Sequence, residues 1–380
     1  MNILFCHDGP LVYKTTTKTY YGIAHNDKIL SRYLDLGSNL SVLIRVREPR
    51  EYENLEMMSP ITLPNTEIIN VSDVFKKPQS VIERNKLIER AVKKSDKIVV
   101  RLPSMIGLTV IKYCKKYDKN YLVEFVADPW DSLWNHSLKG KIVAPFISLL
   151  NKKAVKDSLN VVYVTENYLQ KRYPTNGISF ACSDVDLESK EIKISEMKKN
   201  SKEKFGTLAA VDVRFKGQDC VIKALGYLKK NNLPLFDYQL VGGGDTAYLK
   251  KLAQKYDVEE CVSFLGPLKH EDVFEWLSSL DGYIQPSKQE GLPRALLEAM
   301  SCGLFCIGAK TGGIPELIES EYIFSNKKKN YIEIAKLINN ISVDEMNKQG
   351  LRNFTESKKY FKYQLNEKRK GFYKEVFKIY

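Results

Sequence analysis

The sequence predicts an α/β protein made of two doubly wound, Rossmann-like domains in tandem. Three observations lead there. The chain has 380 residues, more than one ordinary core accommodates. Short runs rich in Val, Ile, Leu and Phe alternate with segments of helical period, the pattern of βαβ units and parallel sheets. That alternation is interrupted once, by the Lys-rich stretch "LESKEIKISEMKKNSKEK" at 187–204, and then resumes.

In the first half the apolar runs place strands near 2–6, 40–46, 97–101, 121–126, 160–164 and 177–181, with helices between them. The second series has strands near 205–209, 236–241, 261–264, 281–284, 304–308 and 321–324. From 343 the tail has no strand pattern; Phe361, Leu365, Phe372, Val376 and Ile379 supply an apolar helical face. The expected organisation is a first domain over 1–183, a linker over 184–204 and a second domain over 205–356. A terminal helix at about 357–380 is expected to pack back on the first domain.

Composition narrows the function. Hydrophobic residues make up 43% and charged residues 28%, as in ordinary folded proteins. The seven cysteines form no CxxC pair, which fits reduced thiols and neither a disulfide framework nor a zinc site. The first residues read as a buried strand and not as an export signal, so a cytoplasmic location is expected. The run at 142–150 is too short to span a bilayer. A formal charge of +13 favours anionic partners. No recognition helix, zinc-finger spacing or aromatic RNA-binding signature points to nucleic acid. The segment 137–156 joins an apolar patch to Lys139, Lys141, Lys152, Lys153 and Lys156. It reads equally as a peripheral contact with an anionic inner membrane face or as a core-facing helix with a solvated basic side.

Open α/β sheets bind ligands beyond the carboxyl ends of their strands, so the loops there are the ones to read. "PSKQEGLPRALLEAMSCG" at 286–303 sets Glu290 before a Gly-Leu-Pro turn and Glu298 inside the helix that follows. Gly291 permits close backbone approach, and the helix start favours an anion such as a phosphate. Glu298, leaning back toward the helix start, can accept two hydrogen bonds from a ribose diol, while Glu290 addresses the group beyond the phosphates. Taken singly, Glu298 reads as a surface salt bridge with Arg294, and Glu290 as an exposed loop acid. The loop "VGGGDTAYLKKL" at 241–252 satisfies G-x-G-x-x-G/A, yet no ribose-binding acid follows the next strand, and a tight turn explains the glycines equally well. Arg214 and Lys216 precede a helix near Gly217, placed to neutralise a diphosphate or simply solvated. "AKTGGIPELIE" at 309–319 brings Glu316 into a first helical turn, for an anion-ready site or a simple cap. On the first-domain side, the Asp8-Gly9-Pro10 loop, Arg101 and Asp128 stand at strand ends facing the same cleft; for Arg101 and Asp131 ordinary salt bridges are the competing reading.

"KG" after the first strand, "VGGGD", "VSFLG", "QPSKQEGLPRALLEAMSCG" and "TGGIPE" occur in the order and spacing of one family. Through most of 205–320 the chain resembles retaining glycosyltransferases of the GT-B fold, specifically glycosyltransferase family 4, with Glu290 and Glu298 matching its E-x7-E motif. In the first domain "RLPS" and "ADPWD" resemble members that build bacterial surface polysaccharides. The resemblance implies that Glu298 holds the donor ribose and that Glu290, with Asp128, serves the reacting centre. It further implies that Lys216 and the Gly291-Leu292-Pro293 turn bind the donor diphosphate, with Arg214, Gly243 and Leu265 as further donor-side candidates; Gly9 and Arg101, from their places at first-domain strand ends, are candidates for the acceptor side of the cleft. No metal or other cofactor is implied, and the acceptor is a glycan or a polyprenyl-diphosphate-linked oligosaccharide. Two positions depart from the family pattern. Val211 stands where many members carry an arginine, leaving Arg214 as its substitute, and Val126–Asp128 lacks the histidine common there, leaving Asp128. A GT-B sugar-nucleotide epimerase and a non-catalytic nucleotide-sugar-binding subunit are the alternative readings.

Overall fold

The structure is a computed structural model that describes residues 1–22, 25–50, 55, 58–71, 78–134, 138–185, 187–188 and 202–378. Most of the expected linker, and Ile379 of the expected apolar tail, lie outside the described residues.

In chain order the first domain contributes β1 (Asn2–Cys6), β2 (Leu11–Lys14), β3 (Thr19–Gly22), β4 (Asn39–Ile44), β5 (Val46–Arg47), β6 (Ser59–Pro60), β7 (Thr66–Asn70), β8 (Lys97–Leu102), β9 (Tyr121–Phe125), β10 (Asn160–Tyr163) and β11 (Ile178–Ala181). Seven of these form one sheet in the order β11-β10-β9-β8-β1-β4-β7, with every pairing parallel. The remaining four form a small sheet, β5-β2-β3-β6. Because β2 follows the carboxyl end of β1, and β5 that of β4, this small sheet stands over the ligand-facing edge of the large one. The strand expected over 40–46 therefore divides: after Ile44 the chain leaves one sheet and pairs in the other.

The second domain contributes β12 (Lys204–Leu208), β13 (Asp237–Val241), β14 (Val262–Gly266), β15 (Gly282–Gln285), β16 (Phe305–Ala309) and β17 (Ile323–Phe324), ordered β14-β13-β12-β15-β16-β17 and all parallel. In both sheets the strand order reverses direction once, between β1 and β8 in the first and between β12 and β15 in the second. That reversal leaves a crevice at the carboxyl ends, where ligands of open α/β sheets bind.

Central strands read as continuous apolar runs because helices cover both sheet faces; β8 and β9 are buried along their whole length. One apolar core runs from Ile3, Phe5 and Val42 through Val185, Leu187 and Phe372 to Leu277, Leu296 and Met300, so the two domains share it. The terminal helix Lys362–Phe377 lies on the first domain: Phe372 stacks on Phe180, and Asn120 donates to the Val376 carbonyl.

Candidate active site

Two loops meet at the crevice of the second domain. The one after β12 turns through Gly217 at a φ of 79°, where a Cβ would lie 2.0 Å from the Pro286 carbonyl oxygen, so only glycine lets it touch the loop after β15. The Lys288 N–H then donates to the Phe215 carbonyl at 2.7 Å and ties the loops together. This contact brings Lys216 to Glu290, Nζ to Oε1 at 2.7 Å, with both side chains mostly sheltered from solvent. A cation and an acid are thus held side by side at the switch point.

Glu290 is set from below by a buried polar ladder. The Tyr283 hydroxyl donates to Gln285 Oε1 at 3.1 Å, and Gln285 Nε2 reaches Ser287 Oγ at 2.9 Å and Glu290 Oε1 at 3.3 Å. Sequence reading missed Tyr283 and Gln285. The available signal was a glutamine ending the otherwise apolar strand "GYIQ", since a buried polar side chain requires partners.

Gly291 closes the site against the other domain: a Cβ there would stand 2.7 Å from the Val126 carbonyl oxygen. Its own carbonyl accepts from the Gly313 N–H at 2.7 Å. Leu292 is buried. Pro293 stands just ahead of the helix Arg294–Ser301 at φ −76°. Having no N–H, it shapes the turn, and the backbone donors there are those of Gly291, Leu292 and the helix itself.

Glu298 sits one turn into that helix and is only 3% exposed, which rules out a surface salt bridge. Burial raises its pKa to about 7, against the opposing pull of Arg294 and Lys28. It opens onto a cavity of about 300 Å³ lined also by Lys28, Glu188, Lys269, His270 and Arg294, between the two domains. Glu290 and Glu298 therefore face different rooms: the first adjoins Lys216, the second adjoins this cavity.

Arg214 lays its guanidinium over the Tyr248 ring, 3.0 Å from the ring centre. That holds it beside the glycine loop, where a Cβ on Gly243 would meet nothing within 4 Å. Gly244, at φ 119°, lies so close to Asp212 that a Cβ would come within 2.3 Å of its Oδ1. Leu265 is 45% exposed at the end of β14, an apolar surface beside the same crevice.

On the first-domain side Asp128 is buried within its own domain. It accepts from the Trp130 N–H at 2.8 Å, the Tyr173 hydroxyl at 2.6 Å and the Tyr168 hydroxyl at 3.2 Å, and pairs with Arg172 Nε at 2.8 Å. Burial and the neighbouring Asp128 raise the pKa of Asp131. Arg101 is buried between Glu124, at 3.3 Å, and Asp184; Glu124 also accepts from the Tyr33 and Tyr373 hydroxyls, each at 2.8 Å. Gly9 packs on His7, whose Nδ1 accepts from the Gly9 N–H at 2.9 Å. Nδ1 is therefore bare, and the proton between His7 and His25, 3.0 Å apart, belongs to His25 Nε2. Burial first, and then neighbouring positive charge, pushes His7 well below the usual imidazole range and His25 to about 3, so both rings are neutral at physiological pH. Spacing gave no warning of this pair, because its members lie on separate loops.

Glu316 stands in the first turn of the helix Ile314–Leu317, as expected, and its carboxylate crosses the cleft to accept from the backbone N–H groups of Glu166 at 2.7 Å, Asn167 at 2.9 Å and Tyr168 at 2.5 Å. The second domain thereby caps a helix of the first.

A family model described as glycosyl transferases group 1 matches residues 189–359. Protein CapJ of Staphylococcus aureus is 34% identical over 348 residues, covering 89% of this chain and 86% of that protein. The chain belongs to the group 1 glycosyltransferases. A shorter match, 37% identical over 111 residues and 27% of each chain, is the amylovoran biosynthesis glycosyltransferase AmsK of Erwinia amylovora. Among solved structures, sucrose-phosphate synthase from Thermosynechococcus elongatus superposes with a TM-score of 0.68 at 14% identity, covering 100% of this chain and 99% of that one. Anabaena HepE, solved in complex with UDP, superposes at 0.66 and 16% identity, covering 97% and 98%. At such identities the likeness establishes the fold, and the expected GT-B arrangement of two Rossmann-like domains is the one observed.

Proposed function

We propose that this glycosyltransferase moves a hexose-type sugar, with retention of configuration, from a nucleoside diphosphate sugar to a glycan or lipid-linked oligosaccharide in surface polysaccharide synthesis. The observation that carries the reading is the Lys216–Glu290 contact at the switch point, with Glu298 buried in the adjoining cavity. Lys216 and the helix start at Arg294 neutralise the diphosphate as it departs, Glu298 accepts from the ribose diol, and Glu290 steadies the sugar at the reacting carbon. Asp128, whose oxygens are engaged by Tyr168, Tyr173 and Arg172, positions the loop facing that carbon. The polysaccharide assignment is supported by the names of two relatives, AmsK and the colanic acid biosynthesis glycosyltransferase WcaL of Escherichia coli, the second 32% identical over 113 residues. Among the described residues no cluster of His, Cys, Asp and Glu is arranged to hold a metal. The lysine and helix dipole supply the charge a metal would otherwise provide.

The test is slow donor hydrolysis followed by proton NMR, with UDP-glucose, UDP-N-acetylglucosamine and GDP-mannose, in the presence and absence of a chelator. The reading requires that one donor be cleaved, that the free sugar first appear in the donor's anomeric configuration, and that Glu290→Gln suppress the release. First release of the opposite anomer overturns retention, and dependence on added metal overturns the lysine-and-dipole account.

A further inference from the structure

The helix Leu138–Lys156 is built inside out for a soluble surface. Toward its own domain it turns Gly140, Ala144, Asn151, Ala154 and Val155. Outward it presents Leu138 at 80% exposure, Ile142 at 81%, Phe146 at 62% and Leu149 at 65%. These four lie at spacings of four, four and three residues, so they form one stripe. Trp134, 41% exposed and stacked on Trp130 at 5.2 Å, stands ahead of the stripe, with Lys141 Nζ 5.7 Å from its ring centre. Single exposed apolar residues need no explanation, but a contiguous row of this kind does.

Charge identifies the occupant. The helix carries five lysines, at 139, 141, 152, 153 and 156, and no acid. All five are exposed: the first two flank the stripe, and the others continue its line toward the helix end. Aliphatic and aromatic groups along one face, an amphipathic tryptophan and a rim of lysines together match the interface of an anionic bilayer. No helix among the described residues is long and apolar enough to cross a membrane. We propose that this face lies in the headgroup region of an anionic membrane, with the stripe buried among the acyl chains and the lysines among the phosphates. The short helix Pro129–Trp134, which leads into it, leaves the carboxyl end of β9, the cleft edge of the first domain, so docking brings the mouth of the cleft to the membrane. This inference is independent of the donor reading, because the face is remote from Lys216 and Glu290 in the chain.

The experiment is vesicle flotation of the full chain with phosphatidylcholine alone and with about 30 mol% phosphatidylglycerol. Wild type is expected to float with the anionic vesicles only, and Ile142→Asp/Phe146→Asp to partition roughly tenfold less while melting as wild type and keeping its nucleotide response. Quenching of tryptophan fluorescence in wild type by brominated acyl chains provides a reading that needs no variant. The proposal is overturned by absence of quenching and flotation, by equal flotation of the variant, or by a wild-type dimer in light scattering that the variant converts to monomer. That last result would assign the stripe to a second copy of the chain.

Discussion

Substituting Glu298 separates what the proposed nucleotide site requires from what the fold prefers. The folded carboxyl has a pKa of about 7 against an ordinary 4.5, because burial disfavours its charged form. Between those values the unfolded chain has released this proton and the folded chain still holds it. Stability from this group is therefore complete below about 4.5 and falls as pH rises through 7. At 1.36 kcal/mol per pH unit the loss is about 3 kcal/mol. Glu298→Gln should accordingly melt a few degrees higher than wild type at pH 8 and match it at low pH. Ligand binding has the opposite sign. A ribose diol donates two hydrogen bonds, and the ionised carboxylate is the form that accepts both. Raising the pH from 6 to 8 should tighten nucleoside diphosphate binding about tenfold, and binding at pH 7 should release roughly half a proton. Isothermal titration in two buffers of different ionisation enthalpy measures both quantities. An affinity that does not vary with pH in wild type, or the same slope in Glu298→Gln, refutes the reasoning.

Other substitutions test the remaining parts of the site. Glu290→Gln keeps a partner for Gln285 but removes the charge beside Lys216; turnover should fall by about 10²-fold while nucleotide affinity changes little, as steady-state kinetics and titration will show. Glu316→Ala removes three backbone hydrogen bonds across the cleft, each charge-assisted. It should cost about 2 kcal/mol and split one calorimetric unfolding transition into two. Glu124→Ala leaves Arg101 with Asp184 alone and orphans the Tyr33 and Tyr373 hydroxyls, and urea denaturation should show a loss of about 3–5 kcal/mol.

Most of the scaffold was legible because buried parallel strands write themselves as apolar runs. The strands expected near 2–6, 97–101 and 281–284 stand within a residue of β1, β8 and β15. Where a strand is polar and at an edge, that signal disappears: β7, with the sequence "TEIIN", has no fully buried residue and was not foreseen. The small sheet escaped for the same reason, since β5 and β6 are two residues each. In the site, motif spacing led to Lys216, Glu290 and Glu298 because loop and helix geometry are local. It did not lead to the partner of Glu316, which lies about 150 positions away on the other domain. Nor did it find that Asp128 is fully engaged by Tyr168, Arg172 and Tyr173, because such closure is a property of packing.

The central claim is that a nucleoside diphosphate sits between Lys216 and Glu298. A thermal-shift titration of wild type, Lys216→Ala and Glu298→Ala with UDP, GDP, ADP and CMP tests it most directly. One nucleoside diphosphate should raise the wild-type melt, adding roughly 2.7 kcal/mol at about 100 times its dissociation constant, and both variants should lose most of that gain. A wild-type melt that no nucleotide moves, or a gain that survives in both variants, would contradict the claim.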